Sequence, residues 1–236
     1  MPVLELFIGD VLSQALQLLS QFGAELREVL WLTLMVSLVA TAIGVVVGVP
    51  LGTALGLGRF RGRTPLLVAV NTGMGMPPVL AGLLILLLLW SDGPLGSFGI
   101  LFTPQAMVLA QSLLAIPIAA GVTAGAVGGL SPVAREQLTA LGLRRTSAGW
   151  IAVREAWPGV AAAVAAAFGR VVSEVGAVLV VGGNIQGETR VLTTAIVEEA
   201  RQAQFGAALA LGIVLMVLAL VINGGLTWLQ LRERAR

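Results

Sequence analysis

The sequence of 236 residues contains no cysteine, no histidine, no lysine and no tyrosine. Without cysteine and histidine, disulfides, thiol catalysis and most transition-metal sites are excluded. Without lysine, the phosphate-binding loop Gly-x-x-x-x-Gly-Lys cannot be formed, so the chain cannot hydrolyse ATP in that way. Charged residues are also scarce, at 11%, and the chain therefore lacks the polar surface that a soluble protein of this size needs.

What is present is largely apolar, with 57% hydrophobic residues and a mean hydropathy of +0.97. Four windows without charge are longer than the roughly 20 residues that cross a bilayer core, and a fifth is apolar except for one arginine and one glutamate. The windows are 29–58, 64–91, the later part of 93–134, 159–182 and 202–231. The sequence predicts an all-α polytopic membrane protein, a single domain of residues 1–236 with about five transmembrane helices.

Residues 1–28 predict an amphipathic helix at the membrane surface rather than a further span. The apolar part is interrupted by Glu5, Asp10, Gln14 and Gln17, which suits an interfacial helix. No arginine precedes the apolar part and no small-residue cleavage site follows it, so it does not match a signal peptide. A sixth, short crossing is the alternative.

Most of the fourteen arginines fall in three segments that five spans would place on one side of the membrane: 59–63, 135–154 and 232–236. The positive-inside rule makes that side cytoplasmic, which places the N-terminus outside and the C-terminus inside. Although the pI is near 10.9, the net charge is only +2. Nucleic-acid binding is therefore not expected.

Two features of the first two windows predict how the helices pack and where they break. Glycines recur every four residues at Gly44, Gly48, Gly52 and Gly56, which predicts a face that a neighbouring helix approaches closely; an accident of glycine-rich composition is the alternative. In the second window, two prolines follow Met76 and interrupt the helix. Broken backbone at membrane depth is tolerated where it lines a cavity or is buried in protein, so Asn71, Thr72 and Met76 are candidate pore residues.

Arg170 and Glu174 are costly residues in the fourth window. Four positions apart on a helix, they can pair with each other. They are interpreted either as an internal ion pair or, together with Ser173, as part of a gate on a path through the membrane.

Residues 182–196 follow this window at the predicted outer side. Gly182 and Gly183 expose backbone N–H groups, and Asn184, Thr193 and Thr194 add an amide and hydroxyls, a chemistry that can hold an oxyanion without a metal. The alternative is a capped loop in which Thr193 or Thr194 is the N-cap of a helix.

A polar segment, residues 132–155, interrupts the apolar pattern and is expected outside the hydrocarbon. As a helix, it groups Leu138, Leu141 and Leu143 toward one side, and Gly142 permits a helix end or a close backbone approach. A solvated connecting loop is the alternative.

The run from Glu136 to Gly142 resembles the signature of permease subunits of ATP-binding-cassette (ABC) importers, in which a cytoplasmic helix sits in a cleft of the nucleotide-binding subunit. Glu136 and Gly142 match the family pattern, whereas Gln137 and Leu138 replace two alanines and the later Leu-Pro is missing. The resemblance implies a set of ATPase-coupling residues: Arg135, Glu136, Gln137, Leu138, Ala140, Leu141, Gly142, Leu143 and Arg144.

Further motifs look like permeases for tungstate, over residues 30–223. They are Asn71-Thr72 with Met76-Pro77-Pro78, Phe168-Gly169-Arg170, Ser173-Glu174-Val175-Gly176-Ala177, Gly182-Gly183-Asn184 and Leu192-Thr193-Thr194-Ala195-Ile196.

The resemblance implies an importer permease in the cell membrane that moves an oxyanion, tungstate first, by ATP-driven alternating access. The partners implied are a second copy of the chain, two ATPase subunits that bind ATP and magnesium, and an extracytoplasmic binding protein; the chain itself would hold no cofactor and no metal. Permeases for molybdate, sulfate or another small solute, and an ion-coupled secondary transporter, are the alternatives. A structural or assembly subunit is a further one.

Overall fold

The computed structural model describes residues 11, 13–15, 17, 23–140 and 142–234. Its numbered elements are helices, and no β-strand occurs among these residues. They are α1 (Ala24–Leu57), α2 (Arg63–Met74), α3 (Pro78–Leu89), a 3-10 turn (Gly96–Phe98), α4 (Pro104–Gly128), α5 (Pro132–Ala140), α6 (Arg145–Glu155), α7 (Trp157–Val172), α8 (Gly176–Gly182), α9 (Leu192–Arg201) and α10 (Phe205–Arg234). The all-α prediction is confirmed, while most of the predicted N-terminal interfacial helix lies outside the described residues.

Among the described residues, three helices are long and apolar enough to cross a membrane: Glu25–Leu57, Pro104–Gly128 and Phe205–Trp228. Two bent pairs of helices also pass this test, Arg63–Met74 with Pro78–Leu89 and Thr146–Glu155 with Trp157–Val172. If each pair is one span, the count reaches the five that the sequence predicts. The second span is interrupted before Pro78, as its prolines predict.

The fourth predicted span differs from the structure. Residues 159–182 were expected to form one helix, but α7 ends at Val172 and α8 begins only at Gly176. The bent pair that passes the length test instead turns by 84° between α6 and α7. Because Glu174 lies in the interruption, it is not one helical turn above Arg170, and the expectation that both stand on one helix is wrong.

The chain forms two compact units. Unit one contains Met1–Ser37, Pro78–Ala110 and Val172–Val221, and unit two contains Leu38–Pro77, Gln111–Val171 and Ile222–Arg236.

In unit two, the glycine face of α1 packs directly on α4, which confirms the predicted packing face. A Cβ atom built on Gly44 would lie 2.5 Å from the Cβ of Ala115, and one built on Gly48 would lie 2.6 Å from the Cβ of Ala119. Gly52 meets Thr123 and Gly56 meets Val127 in the same manner. Each glycine four residues further along α1 contacts a residue four positions further along α4, so the two helices run parallel in a fixed register.

In unit one, α8 packs on α3 through small residues. A Cβ on Gly82 would lie 2.9 Å from the Cα of Ala177, and one on Gly176 would lie 2.8 Å from Val79. A second apolar cluster joins α9 and α10 to the first turns of α1 through Leu192, Ala195 and Leu211.

Candidate functional site

The polar segment forms a short helix, a turn and a second helix. Pro132 occupies the first position of α5, where its missing N–H costs nothing, and the hydroxyl of Ser131 accepts the N–H of Ala134 over 3.2 Å. The helix ends at Ala140, and α6 begins at Arg145. Leu141, one of the predicted coupling residues, lies outside the described residues.

The outward side of α5 is an exposed stripe, hereafter the docking stripe, of residues spaced three and four apart. It consists of Val133, Glu136, Gln137 and Ala140. Val133 is 63% exposed despite being apolar. The stripe therefore offers an apolar position at one end, a small residue at the other, and a carboxylate and an amide between them.

The inward side of α5 is fixed to the rest of unit two. Leu138 packs against a buried cluster that includes Val127, Ala152 and Val160. Arg135 is half-buried, and its Nη2 atom donates to backbone oxygens at the ends of α1 and α4. The nine predicted coupling residues thus do not share one environment: some face outward, and Arg135 and Leu138 face inward.

Gly142 follows α5 with a φ of +57°, in the left-handed region. A Cβ atom at this position would meet no other atom within 4 Å. The glycine is required by the backbone angle rather than by crowding. Leu143 and Arg144, which follow it, are exposed.

Three of the predicted pore residues lie near the break of the second span. Asn71 and Thr72 are exposed in the last turn of α2, and Met76 is half-buried in the break. The amide of Met76 donates to the oxygen of Gly73, so this helix end is closed by its own backbone. These residues, together with Arg170 in the last turn of α7, belong to unit two.

The interruption at residues 173–175 is stabilised by side chains that bond to its backbone. Glu174 is buried, and its Oε1 atom accepts the amides of Gly176 over 2.7 Å and Ala177 over 3.3 Å. The carboxylate thereby caps the first turn of α8, where the amides have no helical partner and the helix dipole favours a negative charge. These two hydrogen bonds lower the cost of burying the carboxylate.

A further polar side chain supports this interruption, since the hydroxyl of Thr193 donates to the oxygen of Glu174.

Within unit two, Nε2 of Gln111 donates over 3.2 Å to the oxygen of Val171, which lies in the last turn of α7. Sequence reasoning missed Gln111, although a buried amide in an otherwise charge-free window is a signal of such a role.

Residues 182–190 form a loop that its own polar groups hold together. The hydroxyl of Thr189 donates to the oxygen of Gly182 and accepts the amide of Ile185. Gly183 and Asn184 both have positive φ, 72° and 55°. Among the described residues, the buried Oδ1 atom of Asn184 has no hydrogen-bond partner.

The two threonines of α9 are buried, and neither is its N-cap. The helix begins at Leu192, so the N-cap is Val191, and the expectation of Thr193 or Thr194 there is wrong. Instead, Oγ1 of Thr194 reaches back and accepts the amide of Val191 over 3.1 Å. The amide of Leu192 donates to the hydroxyl of Thr33 in α1. Ser173, Glu174, Gly182, Gly183, Asn184 and both threonines belong to unit one.

Comparison with known proteins gives consistent results. Residues 48–235 match the model of the family described as binding-protein-dependent transport system inner membrane component. The chain is 34% identical over 224 residues to the tungstate uptake system permease protein TupB of Peptoclostridium acidaminophilum, covering 95% of this chain and 98% of that protein. It is 44% identical over 169 residues to a probable anion ABC transporter permease protein of Haloferax volcanii, covering 70% of this chain and 73% of that one.

A solved structure shares the fold at low sequence identity. The inward-facing MetNI methionine ABC transporter matches with a TM-score of 0.65 at 18% identity, over 89% of this chain and 95% of that chain. Because the family match covers most of the sequence and agrees with the helical architecture, this chain belongs to the family of inner-membrane permease components of binding-protein-dependent ABC transport systems.

Proposed function

We propose that this chain is the translocating subunit of an ABC importer that carries an oxyanion, tungstate in the first place, into the cell. The observation that carries the proposal is its 34% identity to a named tungstate uptake permease over 95% of the chain. The 44% identity over 169 residues to a probable anion ABC transporter permease protein of Haloferax volcanii supports an anionic cargo.

The energy for transport would come from a separate ATPase subunit that binds ATP and magnesium. The chain has no lysine for a phosphate-binding loop, and the docking stripe of α5 offers an exposed surface for a partner. We assign this stripe, together with Gly142 and Leu143, to the cleft of the ATPase. The placement of the arginines supports a cytoplasmic position for the stripe, with the N-terminus outside and the C-terminus inside.

The assembly we propose contains two copies of this chain, two ATPase subunits and an extracytoplasmic binding protein that delivers the oxyanion. ATP binding and hydrolysis would expose the path alternately to either side of the membrane. Molybdate and sulfate are the alternative cargoes; for sulfate, the support is 29% identity over 170 residues to a sulfate transport system permease protein of Synechocystis.

The test is ATPase activity in proteoliposomes that contain this chain, its ATPase subunit and its binding protein. Binding protein loaded with tungstate, molybdate or sulfate is added to each preparation, and Gly142→Val, which strains the left-handed backbone at this position, is the uncoupled control. We expect stimulation by tungstate that is absent from the control. Stimulation by molybdate or sulfate alone would identify that oxyanion, and not tungstate, as the cargo. Failure to assemble with any ATPase would overturn the importer assignment in favour of an ion-coupled transporter.

A further inference from the structure

The inward side of α5 carries a positive charge at the meeting point of two helix ends. The Nη2 atom of Arg135 lies 2.6 Å from the oxygen of Gly128, 3.2 Å from that of Val127 and 3.3 Å from that of Gly56. Gly128 is the last residue of α4, and Gly56 is the next to last of α1. Carbonyls at these positions have no partner within their own helix, and Arg135 supplies one to both helices.

The charge of Arg135 stabilises the ends of α1 and α4 but is unfavourable for α5, the helix to which Arg135 belongs. It lies in the first turn of α5, where the positive end of the helix dipole disfavours a cation. By contrast, α1 and α4 run parallel and in register, so their negative C-terminal ends lie side by side. A guanidinium between them offsets the repulsion of two like ends, and hydrogen bonds from a charged donor are stronger than neutral ones.

A second arginine secures the same end of α1. The Nε atom of Arg63, the first residue of α2, donates over 2.8 Å to the oxygen of Leu55. The end of α1 is therefore held by one arginine from α2 and by another from α5, whereas α4 is joined to α5 through Arg135 and through the packing of Leu138 on Val127.

We infer that Arg135 is the positioning residue that fixes the coupling helix α5 to the paired ends of α1 and α4, so that a movement of α5 displaces both helices together. The inference rests on the proposed function, because it takes the docking stripe on the opposite side of α5 as the surface that the ATPase subunit moves. It assigns separate roles to neighbouring residues. Glu136 binds the ATPase, and Arg135 transmits its movement.

The test compares three variants in the reconstituted complex, with Arg154→Gln as the control. Arg154 is an exposed arginine of α6. We expect Arg135→Gln to bind the ATPase subunit with the affinity of the wild type while the stimulation by loaded binding protein falls about ten-fold or more, within the usual range of coupling between sites. Arg135→Lys, which keeps the charge without the guanidinium fork, is expected to retain part of the stimulation. Glu136→Arg should lose ATPase binding itself.

A measurement on the permease alone tests whether Arg135 holds α5 against the end of α1, and it needs no partner subunit. Since the chain has no cysteine, Arg59→Cys and Ala140→Cys place two spin labels at exposed positions near the end of α1 and at the end of α5. Pulsed electron paramagnetic resonance should give a narrow distance distribution with Arg135 present and a broad one with Arg135→Gln.

The outcomes separate the inference from the proposed function. Wild-type coupling in Arg135→Gln, an unchanged distance distribution, or a loss of ATPase binding equal to that of Glu136→Arg would each overturn the role of Arg135. A wild-type complex that is not stimulated by any loaded binding protein would overturn the proposed function instead, and the spin-label distances would still test the anchor.

Discussion

The hydroxyl of Thr193 donates to the backbone oxygen of Glu174 over 2.9 Å, and it thereby ties α9 to the non-helical residues between α7 and α8. The adjacent Thr194 has a different role, because its hydroxyl closes the first turn of α9 on Val191. The backbone at residues 173–175 is thus held from outside its own helix. A carbonyl in an interrupted helix has no intrahelical donor, and in an apolar environment it must find another.

Replacing Thr193 with valine removes this donor while keeping the shape of the side chain. We expect a destabilisation of about 1–3 kcal/mol, the cost of an unsatisfied buried polar group, and a lower apparent unfolding temperature of the permease in detergent. Thr193→Ser retains the hydroxyl and should remain close to the wild type. Equal stability of the valine and serine variants would contradict the role of the hydrogen bond.

The stability of Glu174 variants should depend on whether the new side chain keeps a hydrogen-bond acceptor. Glu174→Gln keeps a side-chain oxygen for the amides of Gly176 and Ala177, whereas Glu174→Leu leaves both without it. We expect the leucine variant to lose about 1.5–3 kcal/mol or more, since hydrogen bonds to charged groups are among the stronger ones. Thermal unfolding in detergent ranks the variants, and a leucine variant as stable as the glutamine variant would refute the capping role.

The contact between α1 and α4 predicts that a single methyl group is harmful at one glycine and harmless at another. Gly48→Ala places a Cβ atom 2.6 Å from the Cβ of Ala119, and overpacking of this kind costs about 1–3 kcal/mol. Gly125→Ala, in the same helix as Ala119, meets nothing within 4 Å. Expression level and unfolding temperature should fall for the first variant and not for the second. The reverse order would mean that the close approach is absent in the membrane.

Gly142 should tolerate only residues that adopt a left-handed backbone. At a φ of +57°, Gly142→Val forces a β-branched residue into a conformation that costs about 1–2 kcal/mol. Gly142→Asn carries a smaller penalty because asparagine visits this region more readily. We expect stimulated ATPase activity to be lost with valine and largely kept with asparagine. Within the described part of this chain no atom crowds the position, so loss of activity with both variants would indicate that close fit in the ATPase cleft, and not the backbone angle, requires glycine.

Much of the architecture follows from features that the sequence displays openly. The windows without charge predict the spans, the four-residue glycine period predicts the face of α1, and Pro77-Pro78 predict the break before α3. Each of these rules acts locally, through the cost of burying a charge, the absence of a Cβ atom or the missing N–H of proline. These three effects do not depend on which helix packs against the segment, so they can be predicted from the sequence alone.

The features that were missed depend on partners distant in sequence. No proline marks the interruption at Ser173, and the side chain that supports it, Thr193, lies further along the chain in α9. The bond of Gln111 to the last turn of α7 likewise joins residues that are distant in sequence. Arg135 matches a coupling motif by position, yet its bonds to Gly56 and Gly128 become visible only once α1 and α4 end side by side. Either threonine has the chemistry of an N-cap, but α9 begins before both, at Leu192, whose amide is satisfied by the distant Thr33.

The fixed register of α1 on α4 also limits how this pair can move. Successive glycines of α1 are four residues apart, about 6 Å along a helix, and each fits over one residue of α4. A shift of α1 along α4 by less than this distance would bring side chains larger than hydrogen into the contact, so intermediate positions of the two helices are unfavourable. We therefore expect α1 and α4 to move together as a rigid body in any rearrangement of unit two. The backbone would then bend at the non-helical residues that follow these helices.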